Sequence, residues 1–248
     1  TDKNFIFFGL NNIHTFNLDS LVFYQSIITG DSFKNYTINN LKSIDNTLYV
    51  SHDNGLFEFS KEMVKNKNSN SEIIFYDYNE LLNNSVPRGF VDILKIDSSF
   101  YVTNQQFGLS LYENDLNSFV KNFKFNGNPI KSLATSTPTK LFYSKGEDVL
   151  YIGSIGSGLF KYNLSENTFS NLDVQDGMLS SNVYNFLQLP NRLFFQSGTG
   201  INFLEKGLVK NITIEDGINP VSFHNESLHI NNDDIIVMYS LTMLPSGN

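Results

Sequence analysis

An all-β fold, a β-propeller of four-stranded antiparallel blades, is predicted by three features of this sequence. A strand, turn and strand phrase returns along the whole chain. Each clear copy has a further apolar stretch before it, and the best copies have another after it, which makes four strands per unit. No window of a dozen residues keeps apolar positions at helical spacing without a turn signal breaking it, so a helix-covered parallel sheet is hard to build.

The phrase runs from Phe5-Ile6-Phe7-Phe8-Gly9 to Phe16, from Leu48-Tyr49-Val50-Ser51 to Phe59, and from Phe100-Tyr101-Val102-Thr103 to Tyr112. It returns from Leu150-Tyr151-Ile152-Gly153 to Tyr162, from Leu193-Phe194-Phe195-Gln196 to Leu204, and in weaker form from Ile235. Successive starts lie 43, 52, 50, 43 and 42 residues apart, close to the roughly 40 to 50 residues of a propeller blade. A two-sheet sandwich also has many short strands, but it gives no reason for one phrase to recur at this period.

The preceding strand of each unit is read at Asn40 to Ile44, Val91 to Ile96, Lys140 to Tyr143 and Val183 to Leu187. Polar turns at Asp45-Asn46, Asp97-Ser98-Ser99, Gly146-Glu147-Asp148 and Pro190-Asn191 separate it from the next strand, as hairpins require. The following strand is clearest at Thr168 to Leu172. The whole of 1–248 is thus read as one propeller domain with units starting near 5, 40, 90, 139, 182 and 223. The count is six blades if the two ends pair, or seven if the first blade is incomplete at the N-terminus. The longer spacings place insertions near 61–71 and 117–138, which are polar or Pro-containing and loop-like.

Composition agrees. With 40% apolar residues, 23 Phe and 12 Tyr against 17% charged, the chain can bury a core and favours pleated sheet. Its net charge of −8 repels phosphate backbones, and no segment sets Lys and Arg beside stacking aromatics, so nucleic acid is excluded as a partner. The absence of cysteine removes disulfides, thiolate nucleophiles and cysteine-based zinc sites. No stretch reaches the roughly 18 to 20 apolar residues of a membrane span. Any membrane attachment is therefore expected only through regions outside this chain.

The unit from Leu150 to Tyr162, with Asn167-Thr168-Phe169 and Asp176-Gly177-Met178-Leu179-Ser180-Ser181-Asn182-Val183 after it, resembles the two-component-regulator propeller repeat. The next unit carries Glu215-Asp216-Gly217-Ile218 and Phe223 to Ser227, similar to the last blade of such sensors. The motif is strong over about residues 148 to 232, and the family's Trp is replaced by Tyr or Phe. This resemblance implies a periplasmic or extracellular sensor region of a membrane-spanning histidine kinase or related receptor, often responsive to carbohydrate. It also implies a homodimer formed through the full-length receptor.

Candidate sites are few. Asp-Gly at 176–177 and 216–217 is turn chemistry, with positive φ at Gly. Gly153, Gly156, Gly158, Gly198 and Gly200 precede no helix that could hold an anion, so they are read as turn and close-packing residues. His14, His52, His224 and His229 have no metal-ligand spacing, and no motif announces a nucleophile with its base. No catalytic residue, metal ligand or cofactor is therefore assigned. The loops between second and third strands carry Asn11-Asn12, His52-Asp53-Asn54, Gln105-Gln106, and Ser154 to Ser157. Their amides and hydroxyls supply donors and acceptors without strong charge, which suits a neutral, polyhydroxylated ligand such as a glycan. The leading expectation is a glycan- or partner-binding sensor. The rivals are a surface scaffold for protein interaction and a propeller lyase or hydrolase.

Overall fold

The computed structural model describes residues 5–9, 13–17, 19–24, 38–52, 55–62, 74–77, 90–105, 108–134, 137–217, 228–230 and 236–238. By packing, the chain divides into two compact units, Thr1–Asn122 and Phe123–Asn248. Among the described residues the secondary structure is almost wholly strand, with helical turns only at 61–62, Val174–Asp176 and Ile214–Asp216.

The first unit holds a three-stranded sheet, β1 (Phe5–Gly9), β2 (Ile13–Asn17) and β3 (Val22–Tyr24), paired in chain order. Two four-stranded meanders follow. One is β4 (Ile38–Ile44), β5 (Thr47–His52), β6 (Gly55–Ser60) and β7 (Ile74–Asp77); the other is β8 (Phe90–Ile96), β9 (Ser99–Asn104), β10 (Gly108–Glu113) and β11 (Phe119–Asn122).

In the second unit the meanders are β12 (Pro138–Ser144), β13 (Val149–Ser154), β14 (Leu159–Asn163) and β15 (Thr168–Leu172), then β16 (Asn185–Leu189), β17 (Arg192–Ser197), β18 (Gly200–Glu205) and β19 (Leu208–Ile212). A two-stranded sheet, β20 (Leu228–Ile230) and β21 (Ile236–Met238), closes the described part. Among the described residues every strand pair is antiparallel and joins chain neighbours, so each four-stranded sheet is a propeller blade,.

Register explains why the second strands read as unbroken apolar runs. Tyr49 and Leu56 point to one face of their blade and pack on Phe100 and Val102 of the next. Tyr151 and Leu159 pack in the same way on Leu193 and Phe195. Successive residues of a strand face opposite sides, so positions one and three meet the blade before while position two meets the blade after. A strand buried on both faces has no polar side to alternate with.

Two features escaped the sequence reading. Register breaks at Ile38/Asn40, Phe90/Ile93 and Pro138/Leu141 put a bulge at the same place in three first strands,. The bulge in β8 carries Asp92, which is 1% exposed. Its carboxylate accepts from Asn40 Nδ2 at 2.8 Å and from the Ile93 amide at 2.9 Å, and pairs with Lys42 Nζ at 3.1 Å.

The second feature concerns Val183. The first strand of the fourth four-stranded blade is Asn185–Leu189, and Val183 just ahead of it is tied to the blade before. Its amide donates to the Ser154 carbonyl at 2.8 Å, its own carbonyl accepts from Thr139 Oγ1, and its side chain is fully buried. The last predicted unit start, 223, lies outside the described residues.

Candidate functional site

Of the second-to-third-strand loops singled out in the sequence, the turn between β13 and β14 is the one described in full, and it is built from glycine and serine for steric reasons. Gly158 has φ +79°, and a Cβ there would lie 2.2 Å from the Leu172 carbonyl oxygen. A Cβ on Gly55 or Gly200 would meet Tyr76 or Ile212 carbonyls at 2.5 and 2.9 Å. The Gly that opens the third strand is therefore forced by the fourth strand's backbone pressing against it.

Ser154 is fully buried and its hydroxyl donates to the Gly158 carbonyl at 2.7 Å; Ser197 does the same to Gly200 at 3.0 Å. Those hydroxyls fasten the turn. Beyond it, the Gly156 amide donates to Asn182 Oδ1 at 2.8 Å, the Gly158 amide to the Ser181 carbonyl at 2.8 Å, and Asn171 Nδ2 to the Ser157 carbonyl at 2.8 Å.

A cleft of about 530 Å³ opens beside this turn, along the outer strand β15. Its far wall is the insertion at 123–134, which the sequence reads as a loop. Phe123 drives it onto the blade, with ring centroids 5.0 Å from Tyr162 and 5.5 Å from Phe169 in edge-to-face contact,. The Leu133 amide donates to the Phe123 carbonyl at 2.6 Å, and Ser132 Oγ donates to the Asn128 carbonyl at 2.6 Å. The Ile130 amide is held by Asn128 Oδ1 at 3.0 Å, and Ile130's carbonyl accepts from the Phe169 amide at 2.7 Å. The insertion thus covers part of the blade's open edge.

Pro129 and Ile130 give the cleft its apolar surface, with the buried Phe160 and Phe169 behind it, and Ser157, Ser170 and Asn171 give it hydroxyls and an amide. Among the described residues, the Ser157 and Ser170 hydroxyls make no hydrogen bond to protein. The single acid on the wall, Asp173, already accepts from the Val174 amide at 2.7 Å and from Ser181 Oγ. An apolar floor with uncommitted hydroxyls and little free charge fits a neutral ligand rich in hydroxyl groups.

Of the residues singled out in the sequence, Ser157 lines this cleft and Ser154 lies buried behind it. Gln105 is exposed at the β9–β10 turn in the other unit. His52 ends β5, paired with Gly55, and its side chain lies outside the described residues, as do Asn11, Asn12, Asp53, Asn54 and Gln106. Ile130, Phe160, Phe169 and Asn171 were missed. The 50-residue spacing ahead of the clearest unit was their signal, since it marked extra chain that had to lie against something.

Both Asp-Gly pairs sit in turns. Asp173 caps Val174–Asp176 while the Asp176 carboxylate accepts from the Asp173 amide at 2.9 Å, and Gly177 follows at φ +96°,. Asp216 likewise accepts from the Thr213 amide at 2.9 Å, with Gly217 at φ +89°.

No family model and no curated protein matches the chain. Solved structures do. The chain is similar to the extracellular domain of the hybrid two component system BT3049 from B. thetaiotaomicron, at TM-score 0.74 and 16% identity over 95% of this chain. It is similar to the extracellular domain of the one component system BT4673 from the same organism, at TM-score 0.65 and 18% identity over 95%. The computationally designed Ika8 protein shares the fold at TM-score 0.59 and 9% identity. The chain spans only 31% and 30% of the two natural neighbours' lengths. In fold it is thus similar to part of these bacterial extracellular domains, in agreement with the two-component-regulator propeller resemblance carried by residues 148 to 232.

Proposed function

We propose that this chain is a ligand-binding region of an extracytoplasmic signalling receptor, lying outside the cytoplasm and acting without catalysis of its own. The observation that carries the reading is the fold shared over 95% of the chain with extracellular domains of two-component and one-component systems. The ligand is a neutral saccharide held in the cleft beside β15, with sugar hydroxyls on Ser157, Ser170 and Asn171 and an apolar ring face toward Pro129 and Ile130. Binding energy spent on the insertion and β15 together would bias the arrangement of a receptor homodimer, and so the output of an attached histidine kinase or related module.

The test is a screen of neutral oligosaccharides by calorimetry against the chain and its Ser157→Ala and Asn171→Ala variants. Saturable binding that weakens about tenfold in Asn171→Ala supports the reading, the loss expected of one or two hydrogen bonds. Binding that both variants leave unchanged removes the cleft from the proposal. Protease accessibility of the receptor on intact cells tests its side of the membrane.

A further inference from the structure

A second cleft, of about 450 Å³, lies between the third and fourth blades at the end opposite the β13–β14 turn. It is closed by the β12–β13, β16–β17 and β18–β19 turns, all within the second unit. Its character differs from that of the first. Lys145, Lys161, Arg192 and Lys206 line it, against one acid, Glu147. In a chain of net charge −8 with 17 basic residues, four cations on one small concave surface make a local reversal of sign. Low-dielectric walls strengthen its field.

The cations are not all spent on protein. Arg192 pairs with Glu205 at 2.6 Å. Among the described residues, Lys145, Lys161 and Lys206 pair with no carboxylate. Lys161 is the telling one. It projects from β14, half-buried, with its ammonium 6.0 Å from the centre of the Tyr151 ring. Glu147, the acid at hand, instead accepts from the Tyr151 hydroxyl at 2.7 Å. Burial pulls the Lys161 ammonium below its ordinary pKa, with Glu147 and Asp176 opposing this. A half-buried cation with no carboxylate in ion-pair contact gains from a ligand that brings one,. Beside it lies the partly buried Phe142, whose ring packs on the buried Tyr151 with centroids 6.4 Å apart.

We propose that this cleft is an anion-receiving site for a small acidic oligosaccharide, whose carboxylates meet Lys161, Lys145 and Lys206 while a ring lies along Phe142. A cleft closed by three turns favours a compact ring compound over an extended acidic peptide, and a lining that sets Phe142 among the cations favours a sugar over an inorganic anion,. The site shares no lining residue with the cleft beside β15 and stands whether or not that cleft binds a neutral sugar.

The test is calorimetry of the intact chain with trigalacturonate, with maltotriose as the neutral trisaccharide, and with a glutamate-rich peptide as competitor. Trigalacturonate should bind saturably and weaken as salt rises. It should lose about tenfold affinity in Lys161→Gln, the worth of one charge-assisted hydrogen bond. The Lys145→Gln/Lys206→Gln double variant changes only exposed positions and should also weaken binding, which keeps the test sound if Lys161→Gln folds poorly. The proposal is overturned if trigalacturonate does not saturate, if both variants bind as the parent does, if maltotriose binds equally well, or if the peptide binds more tightly. Loss of neutral-sugar binding in Asn171→Ala reports on the other cleft alone, so the two readings fail separately.

Discussion

The Phe169 amide donates to the Ile130 carbonyl across 2.7 Å, joining an insertion between two blades to the outer strand of the second of them. An outer strand normally leaves alternate amides open to solvent or to another chain. Here one is closed from within, and the residue that closes it also lines the cleft.

Phe123 anchors that insertion, so Phe123→Ala should cost about 3 to 5 kcal/mol of stability in urea unfolding, as for other buried aromatics. It should also make the chain more prone to self-association, because the β15 edge loses its cover. Sedimentation velocity at several concentrations checks the second outcome.

Gly158→Ala should destabilise by more than about 1 kcal/mol, since it adds a Cβ at positive φ and drives it into the Leu172 carbonyl,. Gly146→Ala is the control, because nothing lies within 4 Å of the added carbon and its φ is ordinary. Thermal melts of the two variants should differ clearly, with Gly146→Ala close to the parent.

Asp92→Ala strands Lys42 and leaves Asn40 Nδ2 with only the Val91 carbonyl at the bulge between two first strands. Because Lys42 keeps partial contact with water, the expected loss is about 1 to 3 kcal/mol, below the cost of breaking a wholly buried pair. A double-mutant cycle with Lys42→Ala should return a coupling energy well above zero; additive effects would mean the pair contributes nothing.

Alkaline titration of the buried tyrosines should be delayed. Burial pushes Tyr112 up to about 12, and raises Tyr49, Tyr76 and Tyr151 as well, the last three with help from a neighbouring glutamate. Raised folded pKa values favour the neutral phenol in the native state. Their stabilising effect is complete below about pH 10, the unfolded value, and is lost as pH climbs toward the folded values. Absorbance at 295 nm should show the ionisation of these buried tyrosines only late, coincident with loss of the circular dichroism signal.

Acid should act through Glu205, whose carboxyl is held at about 2, first by Lys210 and then by Arg192. A depressed carboxyl contributes stability above its unfolded pKa of about 4.3 and loses it as pH falls toward 2. Glu205→Gln should flatten the acid limb of a stability-versus-pH curve in that window.

The sequence alone determined the blades. Leu150 to Tyr162 carries its strand, turn and strand in local periodicity and in a Gly that only a close-packed third strand needs, and both belong to short stretches of chain. The same held for the Asp-Gly turns, whose capping contacts span three residues. What only tertiary structure decided was which polar groups remain free. Ser154 and Ser157 look alike in sequence, yet one hydroxyl is buried against Gly158 and the other opens on a cleft. Likewise Lys161 is one of many lysines until a neighbouring blade closes over it, and Asp92 is an ordinary strand acid until Asn40 and Lys42 arrive from about fifty residues away. Hydrogen-bond partners, burial and charge compensation depend on contacts distant in the chain, and local pattern does not encode them.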